Sequence, residues 1–209
     1  MKTFVLVAAM LLAAAVPPRA AQVSPEGRVV RAAREQVGKT IRYDPGYEKL
    51  AYPGGDVPLE RGVCSDVVVR AYRTALQMDL QKLVHEDMIL NFAGYPRLWG
   101  LKRPDSSIDH RRVPNLQTYF KRMGYALPVT REAKDYKPGD LVTCTLPPNL
   151  PHIMIVSDRT NAGGVPLVIH NIGAGAKEED RLSEFPLTGH YRIKTNEPRV
   201  RRNVQDRAR

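Results

Sequence analysis

Two kinds of hydrophobic spacing divide the chain. Up to about residue 124 the apolar positions recur at helical intervals; from residue 137 they come in short runs between Gly, Pro and Asn turns, as strands do. Ser24-Pro25-Glu26 reads as a helix start, with serine as N-cap and proline in the first turn. Val29, Val30, Ala33 and Val37 then share a face as far as Gly38, with Arg28, Arg31, Arg34 and Glu35 outward. A second apolar run opens at Cys64. Its three consecutive valines suit a strand, yet Val67, Val68, Ala71, Ala75 and Leu76 keep helical spacing, and a buried central helix tolerates β-branched residues. Further helices are expected over residues 79–92 and 114–124, and strands over 141–145, 152–157, 166–171 and 189–193. Helices first and consecutive antiparallel strands afterwards imply an α+β fold.

The ends read differently from the middle. Lys2 precedes an almost uncharged run rich in Ala, Leu and Val, followed by small residues at 13–15 and 20–21. That pattern predicts a secretory leader over residues 1–21 and an exported, periplasmic or extracellular protein. The run falls short of the ~20 apolar residues of a membrane span, so no stable insertion is expected after leader removal. Residues 22–197 would form one domain, and residues 198–209, rich in arginine, a disordered or surface-bound tail. The formal net charge is +10, which suits an anionic surface such as cell wall. Nucleic acid is set aside, because no basic stripe is interleaved with aromatics.

The chemistry concentrates around Cys64. A thiol at a helix start sits at the positive end of the dipole, which favours the nucleophilic thiolate. Downstream, His152 begins one expected strand and His170 with Asn171 ends the next. Cysteine, then histidine, then a polar residue is the chain order of a papain-like hydrolase. Cys64 would be the nucleophile, His152 the general base and His170 the residue that orients it. Strand alternation puts Asn171 on the other face, as the understudy to His170. His110, Arg111 and Arg112 lie in a polar insert between cysteine and strands, where they could grip a substrate carboxylate. The aromatic, turn-rich loop over residues 41–61 would wall the cleft. Two cysteines in an oxidising compartment also admit a Cys64–Cys144 disulfide, which would make the protein a non-catalytic wall- or partner-binding module. No C-x-x-C or H-x-x-x-H spacing calls for a metal, and no cofactor is expected.

Gly62-Val63-Cys64-Ser65-Asp66, Pro138-Gly139-Asp140-Leu141-Val142 and His152-Ile153-Met154-Ile155-Val156 together resemble the motifs of the NlpC/P60 superfamily of cell-wall peptidases. Val63 stands where that superfamily carries aspartate, and Asp66 and Val67 replace its glycine. Tyr43-Asp44-Pro45, Tyr52-Pro53-Gly54-Gly55-Asp56, Ile108-Asp109-His110-Arg111-Arg112 and Ile169-His170-Asn171-Ile172-Gly173 resemble more closely the DUF1287 family of exported bacterial proteins. The resemblance implies a papain-like NlpC/P60-type fold and hydrolysis of an amide in peptidoglycan peptides. It also implies an oxyanion-side tyrosine twelve residues before the cysteine, at Tyr52, with Tyr43 and Tyr47 as alternatives in the same loop. Asp66 and Asn171 join the substrate-side candidates.

Overall fold

The computed structural model describes residues 23–194; the expected leader and tail lie outside the described residues. Among the described residues there are four α-helices: α1 (Pro25–Arg34), α2 (Cys64–Leu76), α3 (Leu80–Asn91) and α4 (Val113–Arg122). Strands β1 (Arg42–Tyr43) and β2 (Arg61–Gly62) form a short parallel pair ahead of α2. The main sheet is built from β3 (Ala126–Leu127), β4 (Leu141–Leu146), β5 (Leu150–Thr160), β6 (Pro166–Asn171), β7 (Ala176–Glu179) and β8 (Leu187–Tyr191). It runs antiparallel throughout in the order β3-β8-β4-β5-β6-β7. The α+β expectation holds, with α1 and the cysteine helix packed on an antiparallel sheet.

Period-two alternation sorts the sheet into two faces. Leu141, Ile153, Ile155 and Ile169 join Val29, Val30, Val67 and Val68 in one core, so α1 and α2 cover this face. Val142, Cys144, Met154, Val156 and Val168 form a second cluster on the other face, closed by Tyr136, Leu182 and Phe185. The three valines of α2 are all buried, which explains why a β-branched run is stable as helix there: packing decides, not propensity. Among the described residues no helix is long and apolar enough to cross a membrane.

Some expectations shift. α1 begins as expected, the Ser24 hydroxyl accepting the Gly27 N–H, but it ends at Arg34 and leaves Val37 exposed. Gln36 donates instead to the Val67 carbonyl, tying the end of α1 to α2. Strand β7 escapes sequence reading because Ala176-Lys177-Glu178-Glu179 is charged and has no apolar alternation. Its Glu178 holds Arg34 of α1 by two hydrogen bonds of 2.8 and 2.9 Å.

Ile155 is fully enclosed between the sheet and the helices, whereas Leu90 is an apolar residue in solvent. Ile155→Ala is expected to cost about 2–5 kcal/mol of unfolding free energy, and Leu90→Ala less than about 0.5 kcal/mol. Urea denaturation checks both; equal losses would mean that Ile155 does not lie in the stabilising core.

Candidate active site

Cys64 is the first residue of α2, and the turn that presents it is built by its neighbours rather than by a side-chain cap at Val63. Asp66 Oδ2 accepts the Val63 N–H at 2.7 Å, satisfying one of the donors that a helix start leaves free. Gly62 makes room for this: a Cβ there would come within 2.8 Å of Asp66 Oδ2. Arg111 closes the arrangement, its Nε 2.9 Å from Asp66 Oδ1 and its Nη2 3.0 Å from Oδ2. The other Arg111 contacts go to the carbonyls of Gly46 and Asp44, and the Ser65 hydroxyl donates to the Arg111 carbonyl. Farther along α2, Arg70 draws in the preceding loop through Asp56, Thr40 and the carbonyls of Val57, Pro58 and Arg61.

Several site assignments change accordingly. Arg111 and Asp66 neutralise each other in the protein interior and do not reach for substrate. His110 is buried with Nδ1 unpartnered, and burial holds it down to about 4, so it is no carboxylate ligand. Asn171 donates to the carbonyls of Gly62 and Arg42; it ties the end of β6 to the cysteine turn and is not free to orient a base. Tyr52 stands away from Cys64, exposed, with its ring edge-on to His85 at 5.1 Å. Two tyrosines stand at the site: Tyr47, whose hydroxyl donates to Asp105 Oδ2 at 3.1 Å, and Tyr43, whose hydroxyl is pushed up to about 12, first by burial and then by the neighbouring Cys64.

A cavity of about 390 Å³ opens at the cysteine, lined among others by Tyr43, Tyr47, Cys64, Trp99, Arg112 and Pro151. The aromatic loop and the polar insert thus supply facing walls. The Arg112 guanidinium lies 4.1 Å over the Trp99 ring and makes no hydrogen bond or ion pair among the described residues. Of the three basic insert residues it alone offers an open cation.

His152 and His170 are brought together, His152 Nε2 lying 2.8 Å from His170 Nδ1. Burial is the main reason that both are held neutral, His152 down to about 3 and His170 to about 4. His152 pairs across the sheet with Cys144, and the pleat gives these two the same side. Cys64 comes to β5 from the helix side, where the Ile153 N–H points at its sulfur. Thiol and imidazole therefore lie on opposite sides of β5, and among the described residues no hydrogen bond joins them.

The thiolate expectation is overturned for the resting protein. Cys64 is 3% exposed, and burial pushes its thiol up to about 11. The N–H groups of Ile153, Ser65 and Cys64 itself pull the other way, but Asp66 adds a repelling charge in the first turn. Cys64 and Cys144 are both free thiols in separate apolar clusters, so the disulfide of the binding-module reading is not formed. Sequence reasoning also missed Glu179, whose Oε2 lies 3.2 Å from His170 Nε2.

Fold and site together define an α+β protein with a buried cysteine at a helix start, an enclosed histidine pair and a cavity at the sulfur. The chain belongs to the DUF1287 family, described as a domain of unknown function, matched over residues 30–193. It is 57% identical over 180 residues to the uncharacterized protein YijF of Escherichia coli (strain K12), covering 85% of this chain and 87% of that protein. Among solved structures it is similar to NlpC1 from Trichomonas vaginalis, with 17% identity and a TM-score of 0.39 over 78% of this chain. It spans 43% of the length of that NlpC1 chain.

With the thiol raised to about 11, iodoacetamide at neutral pH is expected to label Cys64 more slowly than a free cysteine of pKa about 8.5. The labelling rate should climb only in strongly alkaline solution; a rate at or above that of free cysteine would show that the helix end outweighs burial. Asp66→Ala leaves Arg111 buried without its carboxylate and should cost about 3–5 kcal/mol. Urea unfolding measures it, and a loss below about 1 kcal/mol would reduce the pair to the standing of a surface ion pair.

Proposed function

We propose that this protein is an exported cysteine hydrolase that cleaves an amide bond, in peptidoglycan peptides, with Cys64 as nucleophile and His152 as general base. One observation carries the reading: the helix-start cysteine lines a cavity whose other wall presents the unpaired Arg112. The motif resemblance to NlpC/P60 peptidases points the same way, and the formal net charge of +10 suits an anionic wall.

At neutral pH the thiol and both imidazoles are uncharged, so the nucleophile is generated during attack rather than held as a ready ion pair. Cys64 Sγ adds to the substrate carbonyl as its proton passes to His152 Nδ1, the nitrogen that His170 leaves free. Sγ and Nδ1 approach β5 from opposite sides, so the transfer needs the end of β5 to turn as substrate binds and bring them into hydrogen-bond reach. The tetrahedral oxyanion takes hydrogen bonds from the Cys64 N–H and the Tyr43 hydroxyl. Collapse breaks the C–N bond, the leaving amine takes the proton from His152, and the acyl group stays on sulfur as a thioester. Water attacks the thioester with His152 again as base, releasing the acid and restoring the thiol. Arg112, over Trp99, holds a substrate carboxylate.

Mass spectrometry of muropeptides incubated with the purified protein is expected to show a new cleavage product that Cys64→Ala does not make. Products from both proteins, or from neither, would remove the hydrolase reading. Arg112→Ala should raise KM with kcat little changed, and Tyr43→Phe should lower kcat by about 10²–10³ while Tyr52→Phe leaves it intact. The reverse pattern at the tyrosines would return the oxyanion role to Tyr52. Because the imidazoles protonate only near 3 and 4 and the thiol ionises near 11, kcat/KM should be flat from about pH 5 to about pH 9. It should fall at lower pH as the base is protonated; a midpoint near the ordinary histidine value, about 6.5, would mean that the base is not the buried pair.

A further inference from the structure

The histidine pair alone leaves its protons undetermined. With both rings neutral, the 2.8 Å contact between His152 Nε2 and His170 Nδ1 holds one proton, and either nitrogen can own it. If His152 Nε2 carries it, His152 Nδ1 is bare and can take a proton from a thiol. If His170 Nδ1 carries it, His152 Nδ1 bears a hydrogen and cannot act as a base. Something outside the pair has to choose.

Glu179 is placed to choose. Its Oε2 lies 3.2 Å from His170 Nε2, both atoms are buried, and neither has an aligned hydrogen bond with any partner, so this contact is the one open to the ring nitrogen. A carboxylate oxygen has only lone pairs to offer, so a bare Nε2 facing it would set lone pair against lone pair. A hydrogen on Nε2 removes that repulsion. The charge of Glu179 is balanced by Arg181, whose Nε lies 3.1 Å from the same Oε2, and by Lys177, 3.9 Å from Oε1, so it does not need a second proton from the ring. β7 sits beside β6 with His170 opposite Lys177 and Val168 opposite Glu179, which brings the Glu179 side chain to His170 on the diagonal.

We propose that Glu179 is a positioning residue that fixes the tautomers of both histidines: it takes the Nε2–H of His170, so that His170 Nδ1 accepts the Nε2–H of His152 and His152 Nδ1 stands bare. The proposal rests on the hydrolase reading for its consequence, but not for its test. The order Glu179, His170, His152 runs from the protein surface inward to the proposed base, and it does for this base what a buried carboxylate does in a serine-protease triad, one imidazole further away.

The test is ¹⁵N NMR of the full chain with ¹⁵N-labelled histidine, without substrate, since protonated and bare ring nitrogens differ widely in shift. The expected result is a protonated Nε2 and bare Nδ1 on both His170 and His152. Glu179→Ala should lose this bias and show mixed tautomers, while Glu179→Gln should restore it, because its amide oxygen can still accept from His170. A wild-type protein with Nδ1 protonated on His170, or a Glu179→Ala protein with unchanged tautomers, overturns the proposal. In turnover, kcat of Glu179→Ala should fall about tenfold or more at unchanged KM, part of the about 10²–10⁴ that a positioned base supplies, with Glu179→Gln recovering most of it. A protein with the expected tautomers but no cleavage would sink the hydrolase reading and leave the positioning role standing.

Discussion

The buried pair of Asp66 and Arg111 is the constraint on which the rest of the site depends. Asp66 joins the N–H before the cysteine to the guanidinium, and that guanidinium reaches on to the carbonyls of Asp44 and Gly46. A single charge pair thus fixes the helix start, the aromatic loop and the insert relative to one another. Neither ion is solvated, so removing either partner exposes the desolvation penalty of the other, which is why the pair holds geometry more firmly than a surface bridge would. Asn171 adds the sheet to this node by donating to the Gly62 carbonyl.

Two opposing effects act on Cys64, and magnitude decides between them. A helix N-terminus favours an anion by about 0.3–1 kcal/mol in ordinary settings. Part of that field is already answered by Asp66, which sits in the same turn. Burial raises the thiol from 9.0 to about 11, and each pH unit is about 1.4 kcal/mol. Desolvation therefore wins in the resting protein. The same burial keeps both imidazoles neutral, so thiol and base match as a neutral pair across the physiological range.

Adjacent residues in the insert take opposite roles for a geometric reason. Arg111 and Arg112 follow one another where a short 3₁₀ turn gives way to α4, so their side chains leave the backbone in different directions. One points inward to Asp66 and is consumed; the other lies over Trp99 at the cavity with its donors open. The tyrosines divide similarly: Tyr43 belongs to β1, which pairs with β2 directly before the cysteine, while Tyr52, farther along the same loop, packs on α3 through His85.

The sequence by itself determined the architecture and the order of the chemistry. Apolar spacing marked all four helices and four of the sheet strands, and the helix-start position of Cys64 and the two histidine strands were legible because periodicity and turn residues are local signals. What each polar residue near the site does was not legible. His110 and Arg111 read as a solvated grip and are buried supports; Tyr52 has the spacing that the resemblance implies for a tyrosine beside the cysteine, and Tyr43 is the one that neighbours Cys64. Glu179 sits on a strand with no hydrophobic pattern and becomes a neighbour of His170 only through the pairing of β6 with β7. The protonation of Cys64 turned on the depth of burial. Partner choice and desolvation are properties of three-dimensional packing between segments far apart in the chain, so only the tertiary structure could decide them.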